Sequence, residues 1–159
     1  MDIRLTQRDD WALLKQTRLA ALQDMPTAFA VTYQTAVGYS DQQWQERAAG
    51  TGTQFWLALE GARPVGMIGA GFNGAGRYEL IGMWVAPDAR GSAAAAGLVA
   101  AVKARAAELG VAAVFLEVAP DNRRAVSFYR RQRFGFLDEW EPLDSHPHIL
   151  LQTMCWRCD

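Results

Sequence analysis

A mixed α/β (α+β) domain, its central sheet mostly antiparallel and its faces covered by helices, is what this sequence predicts, and three features lead there. Apolar residues recur at helical spacing up to about Ala48, the pattern turns strand-like from Gln54 to Val85 with two tight turns inside it, and a strand-helix-strand unit follows. The 159 residues are 50% hydrophobic and 11% aromatic, which supplies apolar surface for one sizeable core. No repeat, low-complexity linker or break in composition divides the chain, so residues 1–159 read as a single domain.

Each element has its own signal. Asp9 and Asp10 stand where they can cap a helix running to about Gln23, with Trp11, Leu13, Leu14 and Leu22 among its apolar residues. Met25 to Tyr39 reads as a mixed aromatic and polar loop, suited either to lining a substrate cleft or to packing over one edge. Ser40 and Gln43 have capping-box spacing, and Trp44 supplies the apolar contact of a short helix to about Ala48. QFWLALE from Gln54 and VGMIGAGF from Val65 form a hairpin around the Gly61–Pro64 turn. After the Asn73–Gly76 turn, YELIGMWV from Tyr78 to Val85 is a strand that Pro87 stops.

The stretch from about Gly91 to Leu109 is helical, with Leu98, Ala101, Val102, Arg105 and Leu109 on one stripe, Lys103 and Glu108 off it, and Gly110 as terminator. Ala112–Val118 is then a buried strand, and Asn122 to about Gln132 a second helix. Two further strands fall near Phe134–Trp140 and His148–Trp156.

Composition excludes several functions. The 16 Lys plus Arg against 17 Asp plus Glu leave a net charge of -1, with no positive surplus for a nucleic-acid backbone or an anionic membrane. The opening run MDIRLTQRDD is too charged for a signal peptide, and nothing stays apolar for the ~20 residues of a membrane span, so a cytoplasmic protein is expected. Cys155 and Cys158 read as reduced thiols. Together with His146 and His148 they offer zinc-compatible spacings, but nothing forces the two pairs to meet, and no metal is expected.

The chemistry gathers where the Tyr78–Val85 strand hands over to the Ala-rich helix, in PDARGSAAAAG. A helix start exposes unpaired N–H groups and the positive end of a dipole, and small side chains let an anion approach them. The same small residues equally serve close packing of helix on sheet. The run lacks the Gly-Lys-Ser/Thr ending of a Walker loop and is no G-x-G-x-x-G fingerprint.

These residues carry a resemblance. The runs MWVAPDARGSAAAAGLV and FLEVAPDNRRAVSFYRRQRF are similar to the acyl-coenzyme-A-binding core of the GNAT acetyltransferase superfamily, and the element order resembles that fold over nearly the whole chain. The telling parts are V-x-P-x-x-R-G before the helix and N-x-x-A-x-x-F-Y after the next strand. The resemblance implies that the backbone of Arg90, Gly91, Ser92, Ala93, Ala94 and Ala95 holds the pyrophosphate of acetyl-coenzyme A, while Met83, Trp84 and Val85 pair with its pantetheine arm. It sets Asn122, Ala125 and Phe128 beside the coenzyme, with Asn122 bonding the pantetheine region, capping the helix, or both. Gly82 fits this picture, since a glycine inside a strand often marks a bulge, and a bulge here would splay two strands to admit the thioester.

Two positions depart from the family pattern. Ala93 replaces the inner glycine of the loop, which is harmless if its dihedrals are helical and obstructive if the phosphate rests against its α-carbon. Arg133 stands where the family has a glycine before Phe134, and a positive φ there would strain arginine by roughly 1 to 2 kcal/mol.

The implied reaction is direct attack of an amine on the thioester. Tyr129 matches the family's donor to the coenzyme sulfur, and two carboxylates qualify as base: Glu117, the favoured one, inside LEVAPDN, and Glu79 on the preceding strand. A backbone N–H near Val85 would steady the oxyanion. The basic cluster Arg123, Arg124, Arg130, Arg131 and Arg133 either meets the phosphate end of the coenzyme or is a solvated helix face. The acceptor, a small-molecule or peptide amine, would be chosen by the Met25–Tyr39 loop, the helix after Ser40 and the Glu141–His148 loop, with Tyr39, Trp44 and Trp140 as an apolar rim. The size also permits a homodimer. The rival reading is a non-catalytic coenzyme-binding module whose site Ala93 and Arg133 have weakened.

Overall fold

The computed structural model describes residues 1–29 and 31–158. The strands are β1 (Asp2–Leu5), β2 (Gln54–Glu60), β3 (Arg63–Phe72), β4 (Tyr78–Val85), β5 (Ala113–Val118), β6 (Gly135–Leu143) and β7 (His146–Arg157). The helices are α1 (Trp11–Asp24), α2 (Tyr33–Val37), α3 (Asp41–Ala49), α4 (Ala94–Leu109) and α5 (Arg123–Arg131). The strands form one sheet in the order β1-β2-β3-β4-β5-β7-β6. Every neighbouring pair is antiparallel except β4 and β5, which are parallel because α4 crosses between them.

Alternation along β3 shows what covers each face. A Cβ on Gly66 would come 3.2 Å from Leu98 of α4, while its neighbour Met67 points to the opposite face, where Leu14 and Arg18 of α1 and Trp44 of α3 line a cavity. Leu98, Val99, Val102 and Ala106 bury one side of α4, and Leu14, Leu22 and Trp44 do the same for the α1 and α3 layer. The mostly antiparallel sheet with flanking helices is the predicted architecture.

Local differences from the sequence reading have local causes. β1, unassigned in that reading, is an edge strand of four largely exposed residues held by register with Trp56–Leu59 of β2, so it has no hydrophobic pattern to display. The Met25–Tyr39 segment contains α2, a single turn whose start Thr32 caps by accepting the Thr35 N–H at 3.2 Å. Asp10 does not cap α1: its carboxylate takes the Gln7 N–H at 2.8 Å and closes a capping box on the 3-10 turn Arg8–Asp10.

α4 begins at Ala94 rather than Gly91, after a 3-10 turn at Pro87–Ala89. Its buried stripe passes through Val99 and Ala106, while Leu109 stays 40% exposed, because the last turn of the helix overhangs the sheet. The expected Glu141–His148 loop is almost all strand, and only residues 144 and 145 separate β6 from β7.

Candidate active site

Between β4 and β5 the ladder holds a single register pair, Glu79 with Phe115. Beyond it, toward Val85 and Val118, the two strands diverge and leave their facing edges unpaired. The cause lies within β4. On β3 two steps separate Met67 from Gly69, whereas their partners Trp84 and Ile81 on β4 are three steps apart, so β4 carries a bulge. Gly82 sits in it at φ +60, a conformation that side chains other than glycine rarely adopt. The bulge expected at Gly82 is therefore present.

On one side of the bulge is a cavity of about 650 Å³. Met83, Trp84 and Val85 from β4, Arg90, Gly91, Ser92 and Ala95 from the α4 entrance, and Asn122, Ala125, Phe128 and Tyr129 from α5 all line it. Ala93 and Ala94 do not. Ala94 is buried in the core, and Ala93 is exposed at the helix start. Ala93 has φ -75 and ψ -2, so the first alternative for this position holds and its methyl group is unstrained.

At this helix entrance Ser92 Oγ accepts the Ala94 N–H at 3.2 Å, and the Ser92 N–H bonds the Ala89 carbonyl at 3.3 Å. The N–H groups of Gly91, Ala93, Ala95 and Ala96 find no acceptor among the described residues. An anion-sized set of free donors thus opens beside a cavity long enough for an extended ligand. Arg124 and Arg131 stand at the same cavity, whereas Arg130 lies over Phe136 at 5.4 Å.

The Arg90 side chain, for which no role was expected, has partners of its own. Its guanidinium donates to the Val85 carbonyl at 3.1 Å and pairs with Asp24 at the end of α1, which also accepts the Trp84 indole N–H at 3.0 Å. The Trp84 hydrogen bond, with Arg90 beside it, holds the Asp24 carboxyl below the usual carboxylate range. This clamp ties α1 to the loop before α4, and Asp24, just past the expected end of the helix at about Gln23, gave no sequence signal for it.

Tyr129 lies between Phe128 and Phe134, with ring centroids 5.3 and 5.8 Å away. Burial pushes its phenol well above the ordinary tyrosine range, so it keeps its proton at neutral pH. No described residue hydrogen-bonds its hydroxyl. Asn122 caps α5 by accepting the Ala125 N–H at 3.3 Å. Arg133 has φ 70, the only positive φ outside glycine among the described residues, so the anticipated strain is real.

The two carboxylates come together on the other face. Glu79 is in register with Phe115, and Glu117 lies two residues farther along β5, so both project to the side that α1 and α3 cover. Partial burial raises the Glu117 pKa, and the charges of Glu79, Glu141 and Asp144 raise it further. Glu79 accepts a long bond, 3.4 Å, from the Asn73 side chain.

On this face a second cavity, about 460 Å³, lies under Ile81, Met67, Phe55, Tyr39, Trp44, Arg47 and Arg18. Tyr39 and Trp44 meet edge to face at 5.6 Å, but Trp44 is 1% exposed and forms floor rather than rim. Trp140 belongs to neither cavity: it stands outward from β6, 49% exposed, with its indole N–H on Asp138. His146 and His148 contact one another at 6.0 Å, and among the described residues no group of three or more His, Cys, Asp or Glu is arranged to hold a metal ion.

With this geometry in place, the comparisons define the class. The acetyltransferase (GNAT) family model matches residues 18–136, and the chain belongs to that family. It is an acetyltransferase domain, and enzymes of the family use acetyl-coenzyme A as co-substrate. Three solved structures illustrate the shared fold. The ribosomal-protein-alanine N-acetyltransferase of Brucella melitensis is 20% identical with a TM-score of 0.76, the alignment covering 99% of this chain and all of that one. YncA of Salmonella typhimurium, solved with its cofactor acetyl-CoA, is 16% identical with a TM-score of 0.75, covering 100% and 94%. NAA60 of Arabidopsis thaliana, solved with a bisubstrate analogue, is 15% identical with a TM-score of 0.71, covering 98% and 97%. No curated protein matches the chain. No helix among the described residues is long and apolar enough to cross a membrane.

Proposed function

We propose that this domain transfers the acetyl group of acetyl-coenzyme A to a primary amine by direct attack, with the coenzyme in the 650 Å³ cavity and the amine arriving from the opposite face. One observation carries this reading: the two cavities stop at consecutive points of β4, Ile81 on one side and Met83 on the other, with the Gly82 bulge between them. A thioester threaded between β4 and β5 would present its carbonyl at that point.

The residues divide the work. The free N–H groups at the α4 entrance would hold the pyrophosphate, with Arg124 and Arg131 near the other phosphates. The open edge of β4 from Met83 to Val85, where among the described residues only the Val85 carbonyl is taken, by Arg90, would offer its free groups to the pantetheine amides and steady the carbonyl oxygen as it gains charge. Glu117, its pKa raised toward neutrality, takes the ammonium proton, directly or through water, and Glu79 beside it favours the arrival of a cation. The amine nitrogen then bonds the carbonyl carbon, the carbon–sulfur bond breaks, and the nitrogen gives up its second proton to solvent while the departing sulfur takes one from the Tyr129 hydroxyl, which is reprotonated from solvent.

Calorimetric titration of acetyl-coenzyme A, with coenzyme A and adenosine diphosphate as controls, tests the donor half. Binding should require the pantetheine arm, and Ala93→Gly should change the affinity by no more than about twofold, because Ala93 already has helical dihedrals. Absence of binding by either protein would defeat the reading. Release of free thiol with an amine separates an enzyme from a coenzyme-binding module.

A further inference from the structure

The acceptor cavity holds more unsatisfied donors than an uncharged amine needs. Arg18 of α1 reaches through the layer to the bulge, its Nη1 within 2.6 Å of where a Cβ on Gly82 would stand, and that nitrogen is buried. The guanidinium makes no hydrogen bond to any described residue and no ion pair. Phe29 lies under it at 5.2 Å, and the titratable groups that act on it are Tyr39 and Arg47, with no carboxylate among them. A second buried donor in the same wall, Trp44 Nε1, also lacks a partner.

Arg18 is only partly buried, but a guanidinium nitrogen withdrawn from water with no acceptor is costly to keep, and such atoms are ordinarily satisfied by pairing. Arg47 adds a second positive charge to the wall, and the single acid there, Glu46, is bonded by Gln42 at 3.2 Å. Of the remaining lining, Gln43, Thr51 and Thr53 are polar, while Leu14, Val31, Phe55, Met67 and Ile81 form an apolar patch beside Tyr39. The wall therefore asks for acceptor oxygens bearing negative charge, attached to an apolar body, within a few ångströms of the point where the amine attacks.

Building on the reading above, we propose that the acceptor is an α-amino acid with an apolar side chain, its carboxylate held by Arg18 and its body against Tyr39, Phe55 and Met67. The ammonium then lies at the Gly82 bulge on the face that carries Glu79 and Glu117. The carboxylate thus meets the positive wall of the cavity, while Glu79 and Glu117, which line neither cavity, stand on the same face of the sheet.

The test compares acids with their amides, which differ only at the group Arg18 would hold. N-acetyl-phenylalanine, N-acetyl-leucine and N-acetyl-methionine, and the three corresponding amides, are titrated into protein saturated with coenzyme A. Turnover of the free amino acids and amino-acid amides is measured in parallel. At least one acid should bind tenfold or more tightly than its amide, and Arg18→Met should bring the pair within about twofold while Arg18→Lys restores part of the difference. In turnover the preference should appear in KM. Equal affinity of every acid and amide in the parent protein overturns the proposal without recourse to any variant, as does failure of all three acids to bind. A loss of kcat in Arg18→Met that is equal for acids and amides would also overturn it, assigning Arg18 to the thioester carbonyl instead. Saturation with coenzyme A is itself a measured step, so failure of the acetyltransferase reading appears separately, as failure of that step.

Discussion

The two cavities that meet at Gly82 are built in opposite ways. The donor side is made largely of backbone: the open edge of β4, the free N–H groups before α4 and a row of small residues close together in the chain. The acceptor side is made of side chains from α1, α3, β2, β3 and β4 and the loops between them, brought together from residues 14 to 81. A backbone grip tolerates a change such as Ala93, since the donor groups are the same whichever small residue carries them. A side-chain cavity changes its ligand when one long residue changes.

That contrast yields measurable consequences, the strongest where both sides meet. Tyr129→Phe should lower kcat by about 10²- to 10³-fold while coenzyme affinity stays within about twofold. A kcat equal to the parent's removes the hydroxyl from the reaction. Glu117→Gln should cost about 10- to 10²-fold in kcat/KM at neutral pH.

Its pH behaviour sharpens the assignment. In the parent, kcat/KM should climb as Glu117 loses its proton, above the ordinary glutamate range, and Glu79→Gln should move that climb toward acid because one of the charges raising the Glu117 pKa is gone. A climb unmoved by Glu79→Gln breaks the link between the two carboxylates. Stability has a definite sign as well. A carboxyl whose folded pKa is raised supports the fold below its unfolded pKa, and that support is lost as pH rises through the folded value. Glu117→Gln should therefore melt higher than the parent at neutral pH, with the gap closing on acidification.

Asp24→Ala asks whether the donor side is independent of the acceptor-side helices. It removes the partner of both Trp84 and Arg90, and should weaken coenzyme binding by about tenfold. Unchanged affinity would make the clamp a feature of folding alone. The smallest effect belongs to Arg133→Gly, which relieves a positive φ of about 1 kcal/mol and should raise Tm by about 2–4 °C with coenzyme binding unaltered.

Much of this architecture could be read in the chain. Helices of nine residues or more and the hairpin of β2 and β3 announce themselves through periodicity, turns and the Ser40 capping box, all of which act within a few residues. β1 and α2 escape notice because four or five residues are too few to show a period, and both exist by virtue of neighbours distant in sequence. The same division runs through the site. Gly82, the Arg90–Ala95 entrance and Tyr129 belong to short runs with fixed spacing, and Arg90 and Tyr129 line one cavity, which Met83 borders next to the Gly82 bulge.

Arg18, Asp24 and the burial of Trp44 carry no such signature. An arginine in the middle of a helix looks like any solvated charge until the fold carries it to a bulge on β4, and an aspartate at a helix end looks like any terminus until Trp84 and Arg90 reach it. Local spacing alone determined the longer elements and the small-residue entrance of α4, because both depend on dihedral preferences and hydrogen bonds between near neighbours. Tertiary structure decided which charges lose their water and which find a partner. Desolvation is a property of everything packed around a group, and no stretch of sequence contains it.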